Sequence, residues 1–228
     1  MIKNPTSRYF YFQKEGFIKN AWKKLNQKGW AKAAIIGKAA AKLFNEKGYL
    51  QTSMDDIATE AEMSKGGVYH YFSSKDEILY FILANYMDVI LKDLEQELKK
   101  IGGSFSKIQF LISRHIELYI KHLNEGKTLL HEAHLLPPRY LKIIAGKERK
   151  YYQIVANVLS DFFEGRIEKG KLTVMAFSLL GMCNWIYSWY NPEGTVTPQE
   201  LSEIICDIFS SGMDKVKQTI FHSRRDRR

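Results

Sequence analysis

The stretch Ser53–Lys75 reads SMDDIATEAEMSKGGVYHYFSSK, and its punctuation decides the fold. Ser53 stands three residues before Asp56, the spacing at which an N-cap hydroxyl and a first-turn carboxylate satisfy each other's backbone amides. A short helix is therefore expected from about Met54 to Ala61. Ser64 starts a second short helix that ends near Phe72, where Ser73-Ser74 breaks it. Ile57, Ala58 and Ala61 on the first would face Val68 and Phe72 on the second, and small Ala58 permits a close crossing. Two short helices joined by Glu62-Met63-Ser64 have the shape of a helix-turn-helix. The second helix presents an unusual surface of Lys65, Gly66, Gly67, Tyr69, His70 and Tyr71. Two glycines cost a helix about 1 kcal/mol each, and close approach of a backbone is a plausible compensation. The N-terminus of such a helix favours phosphate, and its first residues can reach base edges in a major groove. Against this, many helix pairs of this shape bind nothing, and residues 33–80 hold five basic against seven acidic side chains.

Outward from this stretch the helical period dominates, and nothing longer than a few residues alternates with period two. Phe17, Ile18, Ala21, Trp22 and Leu25 form one stripe, with Gly29 as a stop. Ile35, Ile36, Ala39, Ala40, Leu43 and Phe44 form a second, and Gly48 sits where a left-handed cap would end it. A long helix is expected from about Lys75 to Lys100. Further helices are expected over 104–124, 125–136, 138–165, 172–190 and 198–221, punctuated by Gly102-Gly103, Pro137-Pro138, Pro192 and Pro198. The fold class is all-α: three N-terminal helices that include the helix-turn-helix, then a larger helical domain. The expected divisions are a basic aromatic extension at 1–32, the DNA-binding domain at 33–79, the larger domain at 80–221 and a basic tail at 222–228.

The chain has 228 residues, 45% hydrophobic and 26% charged, which excludes general disorder. Its net charge of +9 gathers at the ends. Residues 1–32 carry eight basic side chains against Glu15, and the last seven carry four Arg against Asp226. Basic ends suggest a polyanion nearby, nucleic acid or an anionic membrane, with plain solubility as the bland alternative. The leader with Tyr9-Phe10-Tyr11-Phe12 is open to several readings: an extra helix on the body, a DNA-contacting arm, a membrane contact, or a start codon placed too early. Cys183 and Cys206 lie in apolar helical segments, so a reducing compartment fits better than a disulfide scaffold. No secretory h-region is visible. Leu172 to Pro192 has no charge, yet its polar residues and Pro192 favour a buried helix over a membrane span. His131 and His134, three apart beside Glu132, could hold a metal, but pocket-lining or surface histidines are the simpler reading. His115 and His122 read the same way. No phosphate loop, nucleophile elbow or paired carboxylates appear, so no enzyme activity and no cofactor are expected.

The run Ile36 … Ala39-Ala40 … Leu43-Phe44-Asn45-Glu46-Lys47-Gly48-Tyr49 … Thr52-Ser53-Met54 … Ile57-Ala58 … Ala61 through Leu79 resembles the DNA-binding domain of the TetR family. The resemblance implies a dimeric one-component transcription regulator, usually a repressor released by a small ligand. It also implies roles by position. Lys65, Gly66 and Gly67 would lie at the bases. Tyr69 and His70 would reach phosphate or base, Lys75 would hold phosphate, and Thr52 and Ser53 would sit on the DNA backbone. Gly37 departs from the pattern, where a larger aliphatic residue is usual. Ala33-Ala34 replace the usual basic residue, with Lys32 the nearest, which puts one phosphate contact in doubt.

A second resemblance covers Gly181 … Asn184-Trp185-Ile186 … Trp189-Tyr190-Asn191-Pro192-Glu193-Gly194, Thr197 … Glu200-Leu201 and Ile208-Phe209 … Gly212-Met213. These segments look like the regulatory domain of TetR-family regulators of fatty-acid and sterol breakdown, which often sense acyl-coenzyme A. The expected partners are an operator in double-stranded DNA, a small hydrophobic effector of this kind and a second copy of the chain. The expected location is the cytoplasm, with no membrane. Phe81, Tyr86, Phe110, Tyr119 and Trp185 are candidates for an apolar effector lining between the long helix and the helices of 104–190. Arg114, His115 and Asn184 are candidates for its polar end. Leu201, Ile205, Ile208 and Phe209 are expected at the dimer interface. The rival classes are a helical metal-dependent enzyme and a membrane-surface protein.

Overall fold

The computed structural model describes residues 25–222. The stripe at 17–25 lies almost wholly outside them, as do the aromatic leader and the basic tail. Ten α-helices occur among the described residues, and no strand does: α1 Gln27–Lys47, α2 Met54–Glu60, α3 Lys65–Tyr71, α4 Lys75–Leu91, α5 Leu94–Lys100, α6 Ser104–Lys121, α7 Leu123–Glu132, α8 Pro138–Phe162, α9 Lys169–Asn184 and α10 Pro198–His222. Short 3-10 turns follow α7 at Ala133–Leu135 and α9 at Trp185–Ser188. The chain forms two compact units. One runs up to Tyr86 and includes Asn124–Ile144; the other comprises Met87–Leu123 and the chain from Ala145 onward. The division between the compact units falls inside α4, and the second half of the sequence lends α7 and the start of α8 to the first unit.

In the first unit the local signals act as their chemistry dictates. Ser53 and Asp56 form the reciprocal capping box that opens α2. Ser64 caps α3 by accepting from the Gly67 amide. Gly48 ends α1 at φ +88, a conformation that glycine adopts at little cost. Ile36, Ala40, Phe44, Ile57, Ala58, Val68, Phe72 and Ile78 are buried between the helices. Lys42 pairs with Glu60 and Lys47 with Asp56, tying α1 to α2 at the surface. Gly29 does not stop a helix. It lies in the first turn of α1, where its amide donates to the Asn26 cap at 3.0 Å and Leu25 packs against its bare Cα.

Gly37, the departure from the family pattern, has a packing cause. A Cβ there would stand 3.0 Å from the Phe81 ring. That ring also meets Trp30 at 5.6 Å and Phe72 at 5.2 Å between centroids. The missing side chain on α1 is replaced by an aromatic ring from α4.

The second unit packs α5, α6, the later part of α8, α9 and α10 around Ile108, Ile112, Leu159, Phe163, Leu179 and Met213. The expected helix 75–100 is broken. Asp93 adopts φ +55, and Arg114 from α6 donates to the carbonyl of Lys92 at 2.7 Å, drawing it away from helix pairing. Lys147 of α8 pairs with Asp88 of α4, and Lys150 with Glu95 of α5, at the same break.

Candidate nucleic-acid interface and effector site

The outward face of α3 presents Lys65, Gly66, Tyr69 and His70 to solvent. Lys65 rests on Asp55 at 2.8 Å, an exposed pair worth little in water and open to exchange for a stronger anion. The two glycines answer to different neighbours. A Cβ on Gly67 would stand 3.2 Å from Ser64 Oγ and 3.4 Å from Met63, so a side chain there would crowd the cap of α3. A Cβ on Gly66 would meet nothing within 4 Å. No contact among the described residues calls for that second glycine.

Thr52 and Lys75 are used internally. Thr52 is 2% exposed, and its hydroxyl donates to the Gly48 carbonyl at 2.8 Å. The Lys75 ammonium donates to the carbonyls of Tyr49 at 2.6 Å and Thr52 at 2.7 Å, and lies over the Tyr49 ring. Burial lowers its pKa from the usual lysine value. Tyr49 in turn donates to Asp76. Together they hold the turn between α1 and α2. Both residues were expected on phosphate; in this structure they shape the turn that presents exposed Ser53.

The effector candidates separate into two groups. Phe81 and Tyr86 are buried in the first unit, Phe81 among Trp30, Phe72 and Gly37. In the second unit His115 and Asn184 do come together, with Tyr151 as a partner that the sequence did not suggest. His115 Nδ1 is 2.8 Å from the Tyr151 hydroxyl and Nε2 is 2.9 Å from Asn184 Oδ1. The Asn184 oxygen only accepts, so Nε2 carries the proton and Nδ1 accepts from Tyr151. Burial pulls the His115 pKa down to about 4, against a rise from Asn184, and the ring is neutral. One turn on, the Tyr119 ring lies nearly parallel to His115. Its hydroxyl is buried with no hydrogen-bond partner among the described residues. Such an orphan donor costs about 1–3 kcal/mol, which calls for an explanation. Burial raises the Tyr119 and Tyr151 phenols and takes the Cys183 thiol to about 12, so the cluster is uncharged.

Arg114 is charge-paired, although its Nε is buried without a hydrogen-bond partner among the described residues. Its guanidinium donates to Glu97 at 2.8 Å and to the Lys92 carbonyl, and lies beside the Phe110 ring. Trp185 is 61% exposed and lies outside the core. It continues an outward row on α9 with Val174, Phe177 and Gly181, spaced three or four apart.

The expected dimer residues on α10 divide in the same way. Leu201, Ile205 and Phe209 are buried in their own unit, facing α6 and α9. Ile208, at 60% exposure, is joined by Ile204 on the opposite face. Val174, Phe177, Trp185, Trp189, Ile204 and Ile208 are thus the exposed large apolar side chains on α9, the turn after it and α10. Among the described residues no three potential metal ligands cluster around His131 and His134, and no helix is long and apolar enough to cross a membrane.

Residues 36–80 match the N-terminal domain described as "Bacterial regulatory proteins, tetR family", and residues 104–213 match "Tetracyclin repressor-like, C-terminal domain". A solved transcriptional regulator of the TetR/AcrR family from Thermobifida fusca is 30% identical, over 78% of this chain and 96% of that one, with a TM-score of 0.58. The chain belongs to the TetR family. It is a TetR-type transcriptional regulator with the helix-turn-helix at α2–α3. Among its TetR relatives, AibR, solved with isovaleryl coenzyme A and operator DNA, is 28% identical over 78% of this chain and 97% of its own, with a TM-score of 0.69. The transcriptional repressor KstR2 of Mycobacterium tuberculosis is 24% identical over 180 residues, 77% of this chain and 90% of its own.

Proposed function

We propose that this TetR-family chain is a cytoplasmic homodimeric repressor that leaves a palindromic operator when an acyl-coenzyme A binds its second unit. The carrying observation is the face of α3. Lys65, Gly66, Tyr69 and His70 stand outward on a helix that Ser64 caps and that the buried Ile57, Val68 and Phe72 hold rigidly against its neighbours. Such a face suits a major groove, with Lys65 and Gly66 near the bases and Tyr69, His70 and Ser53 on phosphate.

The bare apolar rows of α9 and α10 support the dimer. Packed against a second copy they would form a four-helix contact whose two-fold axis matches two half-sites. The kinship with KstR2 supports repression, and AibR's isovaleryl coenzyme A supports the effector class. An electrophoretic shift with DNA flanking the gene tests the first claim. A salt-sensitive complex that resists competitor DNA is expected, and acyl-coenzyme A should dissolve it. If no such complex forms with that or any selected operator, the reading fails.

A further inference from the structure

The polar cluster of the second unit carries a statement about the chemical group it receives. The Tyr119 hydroxyl is buried, lies beside the His115 ring and has no acceptor among the described residues. His115, Tyr151 and Asn184 satisfy one another and hold the neighbourhood in fixed orientation. The geometry points to Tyr119 as the donor to an uncharged carbonyl oxygen of the effector, that of a thioester or ketone, in a site that rejects a carboxylate. This inference rests on the ligand-released regulator reading and specifies the site's chemistry.

The donor inventory supports it. A phenol without a partner offers one proton, which a carbonyl oxygen accepts without bringing charge into the interior. A carboxylate would need a cation there, since an unpaired buried anion is strongly disfavoured. Neutral His115 is none. Arg114 acts on Tyr151; its Nε is buried without a partner among the described residues, but its charge is already matched by Glu97 at 2.8 Å, so an added carboxylate would remain uncompensated. The Tyr119 phenol senses burial and Tyr187, and no cation.

The test uses the full chain and three probes with the same coenzyme half: isovaleryl coenzyme A, its thioether analogue lacking the carbonyl oxygen, and glutaryl coenzyme A, whose acyl end is a carboxylate. By calorimetry the wild type should bind the thioester about ten-fold more tightly than the thioether, the worth of one buried hydrogen bond. Tyr119→Phe should lose about that ten-fold for the thioester and nothing for the thioether. Glutaryl coenzyme A should bind at least ten-fold more weakly than isovaleryl. The unliganded variant should melt no lower than wild type, because it loses only an orphan donor. Equal thioester binding by wild type and Tyr119→Phe overturns the inference, as does equal binding of thioester and thioether or tight binding of the glutaryl compound. If isovaleryl coenzyme A does not bind a wild type that still holds its operator, this inference falls and the regulator reading stands. A protein that binds no operator sinks the regulator reading itself.

Discussion

At the scale of the residue, adjacent glycines have opposite uses. Gly67 makes room for the Ser64 cap, and Gly66 makes room for nothing among the described residues. Gly66→Ala should therefore stabilise the chain by about 0.5–1 kcal/mol, the usual cost of a helical glycine, while weakening operator binding. Gly67→Ala should lower stability by about 1 kcal/mol, because Ser64 must shift off its cap. Urea melts alongside operator titrations separate the two, and a Gly66→Ala protein with undiminished operator affinity would end its assignment to the groove. His115 gives a pH signature. Its folded pKa of about 4 lies below the usual 6.5, so between those values the unfolded chain binds more protons. Stability from this group is complete above pH 6.5 and falls by about 3 kcal/mol as pH drops to 4. Glu148, raised by burial, works in the opposite direction, so the comparison must be with His115→Gln. The difference in unfolding free energy between the two proteins should shrink across this window; a constant difference refutes the buried neutral ring. Ser53, Ser64 and Gly48 were legible because caps act over three or four residues. The carbonyl contacts of Lys75 were not, because its four-carbon stem reaches residues 23 and 26 positions away.

At the scale of the element, the sequence marks which helices are apolar but not which side of each is already covered. In α9 and α10 both faces are apolar, so periodicity cannot separate core from interface. Leu201, Ile205 and Phe209 look outward-ready in the sequence, yet the helix turns them onto α6 and α9 and leaves Ile204 and Ile208 bare. Ile208→Glu should leave a folded monomer with its helical signal intact and its operator affinity lost. Phe209→Ala should cost about 3–5 kcal/mol of stability, the usual loss for a buried phenylalanine. Sedimentation and thermal melts distinguish them, and an Ile208→Glu dimer would show that these helices meet nothing. The break between α4 and α5 was hidden for a related reason. Asp93 turns left-handed where Arg114, 22 residues beyond Lys92, takes the carbonyl at the end of α4. A tertiary contact set that helix end, and no local residue pattern announces it.

At the scale of the whole molecule, two continuous helices pass from one unit into the other. The division at Tyr86 and Met87 lies within α4, and that at Ile144 and Ala145 lies within α8. A ligand in the second unit and an operator on the first are coupled if each binds one state of the chain better than the other. Linkage then makes the coupling measurable from either end. If acyl-coenzyme A weakens operator binding by a factor, the operator must weaken acyl-coenzyme A binding by the same factor. For ordinary allosteric coupling of about 1–3 kcal/mol the factor is about 5–150. Calorimetric titration of isovaleryl coenzyme A into the free dimer and into the operator complex should give dissociation constants differing by the factor seen when operator affinity is measured with and without effector. Tyr119→Phe should weaken effector binding to both forms and leave operator affinity without effector unchanged, since Tyr119 belongs to the second unit and the DNA face to the first. A factor of one from both ends would mean that the effector and the operator are not coupled, and the release reading would fall.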